Sequence, residues 1–402
     1  MSDDAPRPQH GTPRFQGGRR LSTVALGLAL LGGLGLIAGL FLAPQRMFFA
    51  YLAAFAWAST IAIGGLIFLM IVLAMRAGWP VAVQRLTETV VSALPLLALL
   101  FVPVALGLEQ LYPWTRPEAA ADEHLRHLLE HKRPYLNAAG FVIRTGVYFT
   151  IWIAVGALLR HWSLRRDEQP GLDVDRRMTV LSSVGLPLVG LSLVFASFDW
   201  LMSLDPAWMS TMFPIYVFAG GFLAALALLT ALTFAADRAG LLPGITDSHY
   251  HALGRLLLAF TAFWAYAAFF QFLLIWSANH PHEVSFYLQR WHGPWKAVTV
   301  ALCASRFLIP FFLLLSYRLK RTPARLGTLA AWMLATHYLD MHWLVVPNVP
   351  EAVGFPYHWL DVSALLFLSG ACVAYASHRL HGKATLPVGD PSLPRALQYE
   401  SV

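Results

Sequence analysis

Runs of about 20 mostly apolar residues recur along the whole chain, and this limits the fold more than any single motif. A bilayer interior offers no water to satisfy backbone N–H and C=O groups, so a run of that length is stable there only as a helix. Ten such spans are predicted, at 21–42, 48–74, 88–110, 139–160, 178–202, 207–235, 254–278, 295–318, 326–347 and 361–379. The fold class is therefore all-α integral membrane. Composition agrees: 57% of residues are hydrophobic and 13% charged, where a soluble chain carries about a quarter charged residues.

The net charge of +7 is not a nucleic-acid footprint, because Lys and Arg gather in cytoplasmic loops of membrane proteins. With the N-terminus placed inside, about twenty Lys and Arg fall in inner segments and about seven in outer ones. This predicts a multi-pass protein of the bacterial inner membrane with both termini cytoplasmic. Trp114, Trp200, Trp208, Trp276, Trp291, Trp295, Trp343 and Trp359 fall near the predicted outer ends, where amphipathic rings anchor helices. Residues 1–20 read as a disordered cytoplasmic tail, 21–380 as the membrane domain and 381–402 as a cytoplasmic C-terminal tail. The Leu21–Leu42 run is longer than a signal-peptide core and reads as an uncleaved first helix.

Several chemistries are excluded. Of fifteen His residues only His337 and His342 fall clearly inside a span, so a bis-His haem does not fit. Cys303 and Cys372 are isolated in apolar runs and read as packing residues. No phosphate-binding loop or nucleophile elbow is present, and the spacing of His280, His282 and His292 matches no metal motif. The chain by itself is read as holding no metal and no redox cofactor, with binding of quinone or quinol left open.

What remains is a set of polar residues inside the membrane, where each is expensive and needs a reason. They gather in the predicted outer half: Arg144, Asp199, Gln271, Arg306, His337, Asp340, His342 and Asp361. His337 and Asp340 lie about 60° apart on a helix and share a face, whereas His342 points elsewhere. Asp199, His337 and Asp340 are read as the outer end of a proton path, with Arg144 and Arg306 as electrostatic partners and Gln271, His342 and Asp361 as additional members. The competing reading is ion-pair glue, in which Arg144 and Arg306 pair with Asp199 or Asp340 only to hold helices together. Asp205-Pro206 reads as a helix N-cap followed by proline at the first helical position. Glu88 and Arg255 read as anchors near the loops.

An ordered set of segments carries a resemblance. Lys132-Arg133-Pro134-Tyr135-Leu136-Asn137 leads to Phe141-Val142-Ile143-Arg144 and then Arg160-His161-Trp162-Ser163. Phe198-Asp199-Trp200-Leu201-Met202-Ser203-Leu204-Asp205-Pro206 follows, then Gln271-Phe272-Leu273-Leu274-Ile275-Trp276, Pro310-Phe311, His337-Tyr338-Leu339-Asp340 and Trp359-Leu360-Asp361. From about residue 20 to 380 the chain resembles the second polysulfide-reductase-like (NrfD-like) membrane subunit of bacterial alternative complex III, a quinol:cytochrome c oxidoreductase.

The resemblance implies ten helices arranged as two four-helix bundles plus two flanking helices. It implies a sister membrane subunit, an iron–sulfur subunit related to molybdenum enzymes and c-type cytochrome subunits, with the acceptor left open between a soluble cytochrome and a terminal oxidase docked alongside. Iron–sulfur clusters and haem c then belong to those partners, and this chain contributes a proton path or scaffold without independent activity. Arg306 departs from the pattern, which has a His there, as does Ser285, where the pattern has an aromatic residue. The alternatives are a purely structural anchor or scaffold subunit of that complex and a secondary transporter.

Overall fold

A computed structural model describes residues 13–116, 123–169, 172–349 and 356–401. Among these residues ten long helical segments run in chain order: α1 Gly18–Leu42, α2 Pro44–Ala74, α3 Trp79–Leu106, α4 Ala138–Glu168, α5 Leu172–Trp200, α6 Phe213–Arg238, α7 Asp247–Ala278, α8 Trp295–Leu315, α9 Pro323–Val345 and α10 Trp359–Leu380. Nine are long and apolar enough to cross a membrane. The tenth, α9, has the length, but Arg325, His337, Asp340 and His342 lower its hydropathy. The chain is a multi-pass, all-α membrane protein.

The helices form two four-helix bundles. In the first, α2 packs on α3 and α5, and α4 on α5 and α3; in the second, α6 packs on α7 and α9, with α8 against α7 and α9. α2 joins the bundles through α6 and α9, while α10 lies against α2 and carries α1 on its other side. α1 is long and apolar throughout, yet buries only one stripe, at Ala25, Ala29, Gly32, Leu36 and Gly39. Their three- and four-residue spacing lines up small side chains on one face, which lets backbones approach. A Cβ on Gly32 would meet the backbone of Ser363 and Phe367 at 2.5 Å.

The bundles meet on another such contact. A Cβ on Gly64 of α2 would lie 2.6 Å from the Gly221 carbonyl oxygen of α6, and one on Gly221 would lie 2.8 Å from Thr60. Glycine at both positions permits a backbone-to-backbone approach that brings Thr60 to the edge of the second bundle.

Several expectations are corrected. The third span begins at Trp79 and not at 88, so Glu88 lies within it, 2% exposed, rather than at a loop. The sixth begins at Phe213 with Pro214 in its first turn, so Asp205-Pro206 does not start it. Asp205 instead closes a turn, its carboxylate accepting the Ala207 N–H at 3.1 Å. Five of the eight tryptophans expected at the interface, Trp114, Trp200, Trp208, Trp295 and Trp343, are at most 6% exposed. Trp200 packs among Phe55, Phe101, Phe149 and Trp152, and Trp208 stacks on Phe286 at 4.2 Å.

Both chain ends lie at one end of the molecule. Residues 1–12 of the N-terminal tail lie outside the described residues, but the Phe15 N–H donates to the Lys383 carbonyl, the Gly382 N–H donates to the Phe15 carbonyl, and Arg14 bridges Ala384. The C-terminal tail is packed: Gly389 donates to Asp167, Asp390 pairs with Arg166, and the Ala396 carbonyl meets His249 at 2.8 Å.

Candidate functional site

The intramembrane polar residues separate into clusters. In the second bundle, α8 changes to π-helix over Cys303–Leu308. Pro310 has no N–H to offer the carbonyl four residues before it, so the ladder opens at Arg306, and such bulges recur at functional sites. Arg306, 1% exposed, points into the core. Its Nε lies 3.2 Å from Asp340 Oδ2, an ion pair whose geometry falls outside that of a hydrogen bond. Its Nη2 donates to the Gly220 carbonyl at 3.3 Å and to His337 Nδ1 at 3.0 Å. A Cβ on residue 220 would come within 3.1 Å of that nitrogen, so glycine opens the space it occupies.

The proton positions follow. Arginine has only donors, so His337 Nδ1 accepts and Nε2 carries the hydrogen, which it donates to Thr60 Oγ1 at 2.9 Å. Thr60 passes its own hydrogen to the Ala56 carbonyl at 2.7 Å. Asp340 Oδ1 accepts a hydrogen bond from the Tyr216 hydroxyl, and the Arg306 guanidinium lies 4.8 Å over the Trp264 ring. His337 and Asp340 are both 0% exposed. The shared face expected for them is realised, because both turn toward one guanidinium.

Arg144 and Asp199 form a different cluster, in the first bundle. Arg144 Nε and Nη2 donate to Asp199 Oδ2 and Oδ1, each at 2.9 Å, and the Tyr148 hydroxyl adds a third bond at 2.8 Å. The guanidinium also lies 4.0 Å over the Tyr135 ring. Asp199 is thus fully paired within α4 and α5. No described hydrogen bond or ion pair joins it to Asp340, so the sequence-level grouping of the two in one set is not realised as contact.

A third cluster flanks α10. Arg46 meets Asp361 at 2.5 Å, and His342 Nε2 approaches the same oxygen at 3.4 Å. Asp361 also accepts the His358 N–H at 2.8 Å in the first turn of α10, where a carboxylate suits the helix dipole. His342 does point away from His337, as helical geometry requires.

A fourth cluster, at the end that carries the termini, is absent from the sequence-level set. Glu88 accepts from Arg85 at 2.8 Å, Gln84 at 2.8 Å and Ser163 at 2.6 Å, and Arg85 also pairs with Asp167. The i, i+3 spacing of Arg85 and Glu88 was its only local signal.

Gln271 belongs to a cavity. A space of about 800 Å³, open on one side, lies between α7, α8 and the Pro281–Trp291 helix. Its wall includes Tyr216, Trp264, Gln271, Phe272, Tyr287 and Phe307. Gln271 donates to the Tyr287 hydroxyl at 3.2 Å and accepts from Ser210 at 3.3 Å. Three of its wall residues, Tyr266, Phe269 and Trp276, are each more than half exposed. A volume in this range suits a small hydrophobic ligand. Arg290, which falls between the seventh and eighth predicted spans, is 1% exposed and donates to the Trp343, Leu344 and Phe286 carbonyls.

Outside the spans, Lys132 donates to the Pro206 carbonyl at 2.7 Å. Burial holds its ammonium below the ordinary lysine value despite the nearby Asp205, and burial pushes the Asp205 carboxyl up against its backbone hydrogen bonds. Among the described residues no group of three or more His, Cys, Asp or Glu has the geometry to hold a metal ion. No protein-family model and no curated protein matches the chain.

Proposed function

We propose that this chain is a cofactor-free inner-membrane subunit of a quinol:cytochrome c oxidoreductase of the alternative complex III type, in which the second bundle moves protons. What carries the reading is one juxtaposition. A carboxylate, a histidine and an arginine with at most 1% exposure are hydrogen-bonded into the bundle core beside a cavity whose wall carries exposed aromatic rings. Buried ionisable groups are costly in a membrane and mark proton or substrate routes. In this reading the electrons stay with partners: a sister membrane subunit, an iron–sulfur subunit and c-type cytochromes.

Asp340 is the titrating acid, Arg306 its counter-charge, and His337 the acceptor that fixes the guanidinium. Replacing Asp340 with Asn in the assembled complex is expected to slow quinol-dependent cytochrome reduction, or proton release, by at least about 10²-fold with assembly intact. Normal rates on both counts would refute the role. Purification from native membranes in mild detergent tests membership, because c-type haem and a second ten-helix subunit should accompany the chain.

A scaffold role is favoured for the first bundle by a specific observation: both Asp199 oxygens are already taken by Arg144 and Tyr148.

A further inference from the structure

We propose that Tyr216 is the proton-relay residue between the lateral cavity and Asp340, so that a lipid-soluble ligand with an ionisable ring hydroxyl exchanges its proton with the buried acid through the phenol. The inference rests on the reading of the second bundle as a proton-conducting core, and it adds the route by which that core is loaded.

Two facts single out Tyr216. It is one of the residues that line the cavity, and its hydroxyl donates to Asp340 Oδ1. Asp340, His337 and Arg306 do not line the cavity. Among the described wall residues, no other hydroxyl makes a described hydrogen bond to Asp340. Trp264 is the nearest rival, since it lines the cavity, lies under Arg306 and turns its indole N–H toward Asp340. An indole N–H only donates, however, and cannot take up a proton and pass another on. A phenol hydroxyl has one donor and lone pairs to spare. With its hydrogen committed to Asp340, the Tyr216 oxygen is left as an acceptor for a hydroxyl in the cavity.

The cavity suits a flat, mostly apolar ligand with hydrogen-bonding oxygens at one end. Phe269, Phe272 and Phe307 supply apolar wall, and Gln271 and Tyr287 supply the polar contacts. In the relay step the ligand O–H bond breaks and its proton bonds to Tyr216 Oη. At the same time the former phenol proton leaves Oη and forms an O–H bond on Asp340 Oδ1. Tyrosine is unchanged in charge, the ligand becomes its anion, the carboxylate becomes neutral, and no electron moves. Negative charge has then shifted from Asp340 to the cavity. Arg306 remains a counter-ion on both sides of the step, because it lies 3.2 Å from Asp340 and over a ring that lines the cavity.

The test is infrared difference spectroscopy on the full chain, in the complex with which it purifies, in nanodiscs of phosphatidylethanolamine and phosphatidylglycerol. The probe is a decyl-chain benzoquinol, with its binding followed by native mass spectrometry. In the wild type, probe addition should raise a protonated-carboxyl band that Asp340→Asn abolishes. In Tyr216→Phe the probe should still bind, while the band appears at least about 10²-fold more slowly. Because Tyr216→Phe leaves Asp340 Oδ1 without its donor, a fluorinated tyrosine at 216 provides the second variant. It keeps the hydrogen bond and makes the phenol more acidic, so the rate of band formation should change. A wild-type rate in both variants, a probe that does not bind, or a wild-type chain that shows no carboxyl band would each overturn the relay. A cavity that retains only phospholipid would do so as well. Co-purifying haem proteins play no part in these readouts, so failure of the relay and failure of the respiratory assignment are separable.

Discussion

Replacing Asp199 with Asn separates structural from proton-carrying roles, because the two carboxylates have different surroundings. Asp199 Oδ2 receives both Arg144 Nε and the Tyr148 hydroxyl, and Oδ1 receives Arg144 Nη2. In the Asn variant one oxygen can still accept, but the amide NH₂ must then face a guanidinium or phenol donor. The carboxylate is 0% exposed and the guanidinium side chain 22% exposed. Removing one partner of a fully buried pair costs about 3–5 kcal/mol. The partial exposure of Arg144 reduces this, and we expect about 2–4 kcal/mol. An Arg144→Met, Asp199→Leu double variant should recover most of the loss, since replacing both charges leaves neither unpaired. The assay is reversible unfolding of the purified chain in mixed micelles, alongside cytochrome reduction per assembled complex. Asp199→Asn should lower stability and the yield of complex while turnover per complex stays normal. A change in stability below about 0.5 kcal/mol together with a large loss of turnover would refute this reasoning and return Asp199 to the proton path.

Two further outcomes follow from the packing and from the first turn of α10. Gly64→Val should cost ~3 kcal/mol or more, since its Cβ meets backbone of α6 that cannot rotate away, whereas Gly190→Ala, with nothing within 4 Å, should be neutral or slightly stabilising in the same unfolding assay. At His358, burial and then the Arg46 charge hold the imidazole below its ordinary value, against the pull of Asp361, and Nδ1 accepts the Leu360 N–H. A histidine depressed in the folded state contributes stability above its unfolded value near 6.5, and loses it as pH falls through the folded value. Hydrogen exchange at Leu360 should therefore quicken, after correction for intrinsic rates, as pH drops below about 6.5. An unchanged protection factor from pH 7.5 to 5 would contradict it.

Helix number and position were legible in the sequence because they rest on local properties: length, apolarity and backbone satisfaction within one segment. The errors arose where a span mixes polar and apolar residues. Glu88 and Arg85 neutralise each other inside α3, and a residue-by-residue reading of hydropathy placed the helix start at Glu88, leaving Arg85 outside. The tryptophans were misjudged for a related reason. Nearness to a helix end is local, but whether a ring faces lipid or the bundle depends on what packs beside it.

The site divides along the same line. That His337 and Asp340 share a face, and that His342 does not, follows from 3.6 residues per turn and was fixed by sequence alone. The choice of partner was not. Arg144 and Arg306 each had two candidate carboxylates in the sequence, and only the packing of α4 on α5 and of α8 on α9 assigned them to Asp199 and Asp340. Tyr216 lies 124 residues from the acid it bonds, and in sequence it is one aromatic residue among many in an apolar helix. The cavity exists only because three helical segments fail to close against one another. Distance along the chain is the physical reason for the division: hydrogen-bond partners and voids across helices are not local properties, because both depend on which faces meet.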